Sequence, residues 1–104
     1  LQSRGLGDVY KRQGMVGAAM VPLENAERCA SVLGLVGRLE GRSNRNAASD
    51  LDVARALART ALLGCLANVA INLESINDEA TAAALRTRAD ELRSVLDAEE
   101  KDHG

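Results

Sequence analysis

The sequence predicts an all-α protein, an antiparallel helical bundle of about three long helices. Apolar residues recur at spacings of three and four through most of the chain, which is typical of one face of a helix. Alternating runs of β-branched and aromatic residues, which are typical of strands, do not occur, and the chain has a single proline. Phenylalanine and tryptophan are absent, so the core must consist of Leu, Val, Ile and Ala, whose small members allow close contacts between helices.

Length and charge restrict the classes of partner. A chain of 104 residues forms one small domain with a marginal core, so we expect it to self-associate. The net charge is -2, and acidic and basic residues are interspersed, which argues against nucleic-acid binding. No continuous apolar run approaches the roughly 20 residues that span a bilayer, and no signal pattern opens the chain. We therefore expect no membrane contact and a cytoplasmic location.

Residues 1–13 differ from the rest of the chain in composition. They contain three bases, one acid and the only tyrosine, and they lack helical periodicity. Residues 8–13, DVYKRQ, resemble the product of one reading frame of a transposon mosaic-end adapter used in preparing sequencing libraries. We interpret residues 1–13 as a non-native, adapter-derived segment, with a short disordered natural N-terminus as the alternative. Residues 14–100 are then expected to be the C-terminal part of a larger domain whose N-terminal part is missing.

The first helix is predicted from about Met15 to Glu40. Pro22 lacks an amide hydrogen and clashes with the preceding turn, so we expect a helix boundary or a kink there. Gly41 suits the position after the helix because glycine adopts positive φ without a Cβ penalty. The residues predicted to face the core are Met20, Leu23, Ala26, Ala30, Leu33 and Gly37.

The second helix is predicted from about Asp50 to Leu73, after a polar connection, with Ser49 as its N-cap. At 100° per residue, Asp50 and Asn68 lie on one line, 18 residues and five whole turns apart, and Asn72 lies about 40° away. Polar groups therefore mark both ends of a small, apolar stripe, which we expect to be packed. The residues between them on this stripe are Ala54, Leu57, Ala61 and Gly64.

The third helix is predicted to begin after a cap at Asn77 or Asp78. Its charged residues lie beside an apolar seam, so this helix is interpreted as a packing element. Residues 101–104 are expected to form a frayed, charged tail, in which His103 has no companion residues for metal binding or catalysis. The seam consists of Leu85, Ala89, Leu92 and Leu96.

The strong motifs of enzyme and metal sites are missing from the sequence. No serine or cysteine nucleophile can be grouped with a histidine, and no cluster has metal-ligand spacing. The glycines do not follow the pattern of a dinucleotide-binding or phosphate-binding turn, so we expect neither a metal nor a cofactor. Cys29 and Cys65 stand 36 positions apart without a CxxC motif, and we interpret them as small buried hydrophobic residues.

Six polar residues remain as candidates for chemistry: Asn44, Asn46, Ser49, Asp50, Asn68 and Asn72. The first two are most simply turn residues that bond the local backbone, and the next two are most simply helix caps. The last two lie four apart near the end of a long helix, where asparagine is a mediocre helix former. A packed amide without a hydrogen bond costs about 1–3 kcal/mol, so these two either pair with a neighbouring helix or face a ligand.

Two motifs at the ends of the second helix carry a family resemblance. The first comprises Asn44, Asn46, Ala47, Ser49, Asp50, Val53 and Ala54; the second comprises Asn68, Val69, Ile71, Asn72 and Leu73; and Val21, Pro22 and Leu23 precede them. Together they resemble the C-terminal portion of the cyclodeaminase and methenyltetrahydrofolate cyclohydrolase family, related to the C-terminal domain of formimidoyltransferase-cyclodeaminase. The chain departs from the family pattern at Ser43 and Asp52, where the family usually has glycine.

The resemblance implies a homodimeric helical bundle that binds a folate in a cleft and acts on its one-carbon bridge. The reaction is either hydrolysis of methenyltetrahydrofolate or release of ammonia from the formimino form, and neither requires a metal or a redox cofactor. Asp50 is then expected to polarise water or move a proton. Asn44, Asn46, Asn68 and Asn72 are expected to hold the polar ring of the folate or its developing charge.

A different class of function is also compatible with these residues. A non-catalytic helical dimerisation module would use the polar stripe for hydrogen bonds between helices. The Gly-rich N-terminal half of the family, which helps to form the site, has no counterpart in this sequence, so we expect the isolated chain to be inactive. The sequence indicates neither which folate reaction applies nor whether a transferase domain is fused.

Overall fold

The computed structural model describes residues 2–42 and 44–103, without the side chains of residues 2–13, 46, 102 and 103. Three α-helices account for nearly all of this part of the chain: α1 (Gln2–Leu39), α2 (Arg45–Leu73) and α3 (Glu79–His103). No strand occurs within the described ranges. The predicted all-α class is therefore confirmed.

A short turn joins α1 and α2 into an antiparallel hairpin. Gly41 adopts a φ of 76°, which is strained for any residue with a Cβ atom. The Arg42 amide donates to the Leu39 carbonyl at 3.1 Å and closes the turn. The predicted helix end before Gly41 is confirmed to within one residue.

The helix α2 begins earlier than the sequence predicts, because Asn44 and not Ser49 is its N-cap. Asn44 has an extended backbone, with φ -71° and ψ 167°, and its Oδ1 accepts a hydrogen bond from the Ala47 amide at 3.0 Å. Both side chains are competent caps, and the residue next to the turn takes the role. Ser49 consequently lies inside the helix and is exposed.

The helix α1 continues through Pro22, so a helix boundary at this residue is wrong, and the alternative of a kink stays a prediction. Proline has no amide hydrogen for the carbonyl of Ala18, and an interior proline ordinarily destabilises a helix by about 3 kcal/mol. Burial of Ala19 and Leu23, each 0% exposed, offsets this loss against α2. The backbone of residues 2–13 is also helical, and the adapter origin of residues 1–13 stays a prediction.

The start of α3 agrees with the sequence. The carboxylate of Asp78 accepts from the Ala80 amide at 3.1 Å and from Thr81 Oγ1 at 2.8 Å, as a capping residue does. The helix extends to His103, through most of the segment interpreted as a charged tail, and Gly104 lies outside the described residues.

The core consists of two apolar clusters that are continuous along the bundle. Leu92 and Ala89 of α3 pack against both clusters. The predicted seam of α3 is confirmed, since its two outer leucines are buried and its two inner residues are half-buried. The cluster nearer the α1–α2 turn contains Ala26, Leu33, Ala58, Leu62, Leu66 and Leu96. The cluster nearer the α2–α3 connection contains Ala19, Leu23, Val69, Leu73 and Leu85.

Arg55 connects all three helical segments near the α1–α2 turn. Its side chain is 12% exposed and forms ion pairs with Glu40 after α1, with Asp52 of α2 at 3.4 Å and with Glu99 of α3 at 3.5 Å. Ion pairs that are shielded from water and share one guanidinium contribute more than isolated surface pairs. We call Arg55 and its three carboxylates the arginine clamp.

Substitution of Arg55 by methionine is expected to lower the free energy of unfolding by about 1–3 kcal/mol. The reason is that Glu40 and Glu99 lose their shared cation and retain two partly buried negative charges. Urea denaturation at low salt measures the effect, and Arg86→Met, at an exposed arginine of α3, is the matched control. Equal stabilities for the two variants would contradict a structural role for the arginine clamp.

The helix α2 has the length and hydropathy of a helix that could cross a bilayer. The segment Ala47–Leu73 contains a window with a mean hydropathy of 1.5, of which 28% is buried within the chain. The expectation that no segment is long and apolar enough is therefore wrong for α2, because its small residues raise the hydropathy without forming one unbroken run. The core helix of a water-soluble protein meets the same criterion of length and composition.

Candidate functional site

The stripe that joins the two motifs lies on the outer surface of α2. The sequence predicts this stripe to be packed, but Leu57 is 66% exposed, and Asp50 and Asn68 are also exposed. The helix instead uses another face for the core, which contains Ala58, Leu62, Leu66, Val69 and Leu73. We call the exposed residues Asp50, Leu57, Ala61, Gly64 and Asn68 the outer stripe.

The candidate site residues fall into two groups at opposite ends of α2. Asp50 and Asn68 are 18 residues apart, which corresponds to about 27 Å along a helix. The structure therefore does not bring Asp50 together with Asn68 and Asn72 within one copy of the chain. The side chain of Asn46 lies outside the described residues, and Asn44 is occupied in capping α2.

The two asparagines at the C-terminal end of α2 face an open groove of about 350 Å³ between α1 and α2. Asn25 of α1 contributes a third amide to the same groove. Small residues on α1 leave room beside these amides. We call this feature the amide groove, and its lining residues are Gly17, Ala18, Val21, Pro22, Asn25, Cys65, Asn68 and Asn72.

Hydrogen bonds orient the amides of the groove. Asn72 Nδ2 donates to the backbone carbonyl of Asn68 at 2.9 Å, so the Asn72 Oδ1 atom is left as an acceptor. Arg28 Nη1 donates to Asn25 Oδ1 at 2.9 Å, which leaves the Asn25 amide hydrogens as donors. The groove thus presents both donors and acceptors to a flat polar molecule.

Pro22 leaves the backbone carbonyl of Ala18 without its usual helical donor, so the groove gains an acceptor that the sequence pattern did not predict. A proline at this position cannot donate to the carbonyl of Ala18, and both residues line the amide groove. Asn25 was also missed, although it follows Pro22 by three positions and so lies on the same side of α1. The spacing of three between a proline and an asparagine inside a helical pattern could have indicated that Asn25 belongs to the groove.

Helix capping does not explain the presence of Asp50. Because Asn44 caps α2, Asp50 lies beyond the first turn of the helix, where neither capping nor the positive helix end requires a carboxylate. It is exposed at the end of the outer stripe. The carboxylate is therefore placed where it can contact a molecule bound on the surface of α2.

Cys29 and Cys65 are not the buried residues that the sequence predicts. Both are free, half-buried thiols that pack against the core cluster nearer the α1–α2 turn. Burial, and to a smaller extent the nearby Cys65, raise the pKa of the Cys29 thiol. Among the residues that the structure describes, no group of three or more His, Cys, Asp or Glu side chains could hold a metal ion.

The fold and the groove define a helical-bundle domain with a site of the size and polarity that suit a small molecule. The chain belongs to the formiminotransferase-cyclodeaminase family, whose pattern matches residues 10–91. The resemblance carried by the two α2 motifs is thereby confirmed.

A curated relative gives the same assignment. The chain is 36% identical over 81 residues to the formimidoyltransferase-cyclodeaminase of Sus scrofa, which covers 78% of this chain. The chain spans only 15% of the length of that relative. No solved structure gives a significant match.

Proposed function

We propose that this chain is part of a folate one-carbon enzyme with cyclodeaminase activity. Family membership and the name of the Sus scrofa relative support this reaction over hydrolysis of methenyltetrahydrofolate, which is the second candidate. The observation that carries the proposal is the convergence of three asparagine amides on one groove of a family member. The activity is assigned to the longer protein, and the isolated chain is expected to show no turnover.

The amide groove is the proposed position of the folate ring. A pteridine ring is flat and has donors and acceptors along one edge, so it matches the mixed polarity of Asn25, Asn68, Asn72 and the Ala18 carbonyl. In the reaction, a folate nitrogen attacks the formimino carbon and the bond from that carbon to the departing ammonia breaks. A proton must move from the attacking nitrogen to the leaving nitrogen, and the proposal assigns this transfer to Asp50.

The distance between Asp50 and the amide groove supports a site that two copies of the chain share. A separation of about 27 Å along α2 is too long for both ends to contact one ring. In an antiparallel pair of α2 helices, each Asp50 would meet the amide groove of the other copy, and the small residues Ala61 and Gly64 allow a close approach near the centre. We therefore propose a homodimer with two composite sites.

A non-catalytic dimerisation module is the alternative function, and one observation favours it. The exposed side chains Val53, Leu57 and Ile71 provide an apolar surface for another helix without any ligand. The two functions differ in whether the complete protein binds a folate.

Calorimetric titration of the complete protein with tetrahydrofolate tests the proposed function. Substitution of Asn72 by alanine is expected to weaken binding by roughly tenfold or more, because the ring loses an oriented acceptor. Asn77→Ala is the matched control, since Asn77 is an exposed asparagine in the α2–α3 connection, away from the amide groove. Absence of saturable binding by the unmodified protein would favour the dimerisation module.

A further inference from the structure

Two asparagines of the amide groove are held in opposite orientations. Arg28 Nη1 lies 2.9 Å from the Asn25 side chain, and a guanidinium only donates, so the atom that it contacts is the amide oxygen. Asn72 contacts the backbone carbonyl of Asn68 at 2.9 Å, and a carbonyl only accepts, so this contact uses the Asn72 amide nitrogen. The other end of the Asn25 amide is therefore a donor, and the other end of the Asn72 amide is an acceptor.

These orientations give the two walls of the amide groove different polarity. Asn25 belongs to α1 and Asn72 to α2, and both line the groove. A ligand group that accepts hydrogen bonds is therefore favoured on the α1 side, and a group that donates is favoured on the α2 side. In the reverse arrangement, donors face donors and acceptors face acceptors, so these groups lose hydrogen bonds to water without gaining any from the ligand.

We propose that Arg28 is a positioning residue, which fixes Asn25 as a donor and so makes the amide groove select a 4-oxo over a 4-amino pteridine ring. This inference rests on the proposed function, in which the groove binds the ring of a folate. In tetrahydrofolate, the oxygen on carbon 4 accepts hydrogen bonds and the neighbouring ring N–H group donates. In the 4-amino analogue, an amino group donates at carbon 4 and the neighbouring ring nitrogen accepts, so Asn25 meets a second donor.

The selection depends on Arg28 because an amide alone does not distinguish the two rings. The oxygen and the nitrogen of an asparagine amide are nearly the same size, so the group can turn over and offer either one to a ligand. The guanidinium removes this freedom, since a turned amide would place its own donor against the donor of Arg28. Arg28 is exposed, so its substitution leaves the apolar core of α1 intact.

Calorimetric titration of the complete protein with tetrahydrofolate and with its 4-amino analogue tests the proposal. The native protein is expected to bind tetrahydrofolate at least about tenfold more tightly than the analogue, because only tetrahydrofolate matches both amides. Arg28→Met is expected to reduce this ratio to about threefold or less, since Asn25 is then free to turn over. Arg28→Lys keeps a donor beside Asn25 and should restore part of the ratio. Arg38→Met, at another exposed arginine of α1, is the matched control and should keep the native ratio.

Asn25→Asp provides a second test that a general loss of structure would not imitate. Aspartate still pairs with Arg28, but its carboxylate only accepts, so this variant is expected to bind the 4-amino analogue more tightly than tetrahydrofolate. An unchanged ratio in Arg28→Met, or the native preference in Asn25→Asp, would overturn the inference and leave the proposed function standing, because tetrahydrofolate still binds. Absence of tetrahydrofolate binding by the native protein would overturn both.

Discussion

Substitution of Asp50 by alanine in the complete protein is expected to lower the proposed cyclodeaminase turnover by about 10²–10⁴-fold, the usual contribution of a positioned acid or base. The fold should be unaffected, because the Asp50 side chain is exposed and does not cap α2. Ammonia release from formimidoyl-tetrahydrofolate measures the rate, and circular dichroism verifies the helix content. Asp97→Ala, at an exposed aspartate of α3, is the matched control. Near-normal turnover of the Asp50 variant would remove this residue from the mechanism.

Mixing two inactive variants separates a composite site from a site within one chain. Asp50→Ala and Asn72→Ala subunits, unfolded together and refolded, should regain up to about a quarter of native activity, since half of the dimers are mixed and each has one intact site. Failure of the mixture to regain activity would contradict the proposal that Asp50 comes from a second copy. Folate binding in the amide groove is tested separately by calorimetry.

The largest expected effect on stability belongs to Leu62. This residue is 0% exposed and packs in the cluster that joins all three helices. Leu62→Ala is expected to lower the free energy of unfolding by about 2–5 kcal/mol, through lost burial and the remaining cavity. In a small domain with about 5–15 kcal/mol of total stability, this is a large fraction.

The neighbouring residue offers a matched control for the same substitution. Leu63 is 54% exposed, so Leu63→Ala removes the same atoms from a position that is mainly in water. Its effect should stay below about 1 kcal/mol. Urea denaturation of both variants measures the difference, and comparable losses at the two positions would show that the core described for α2 is on the wrong face.

The positions of the helices were predicted more accurately from the sequence than the faces that they bury. The seam of α3 was predicted correctly because this helix has one apolar face and charged residues on the others. In α2 the apolar residues extend around most of the helix, so Ala58 in the core and Ala61 on the surface are indistinguishable by composition. Only packing against α1 and α3 selects the buried face.

Parts of the site depended on tertiary structure and could not be predicted from spacing. The sequence offered the motif asparagines Asn68 and Asn72 as candidates, whereas Asn25 reaches the same groove only through the register of α1 against α2. The choice of Asn44 over Ser49 as the cap was undetermined for another reason, since both side chains have the required chemistry.

Because of the arginine clamp, salt is expected to affect the stability of the two ends of the bundle differently. Near the α1–α2 turn, charges on three segments hold the helices, so added salt should loosen this end first. At the other end, the buried contacts around Leu23, Val69 and Leu85 are apolar, and salt leaves them unchanged or strengthens them. The ion pair between Glu27 and Arg88 near this end is 43% and 38% exposed, so its loss in salt costs little stability. Ionic strength therefore decides which end of the molecule opens more readily, and amide hydrogen exchange at two salt concentrations would resolve the two ends separately.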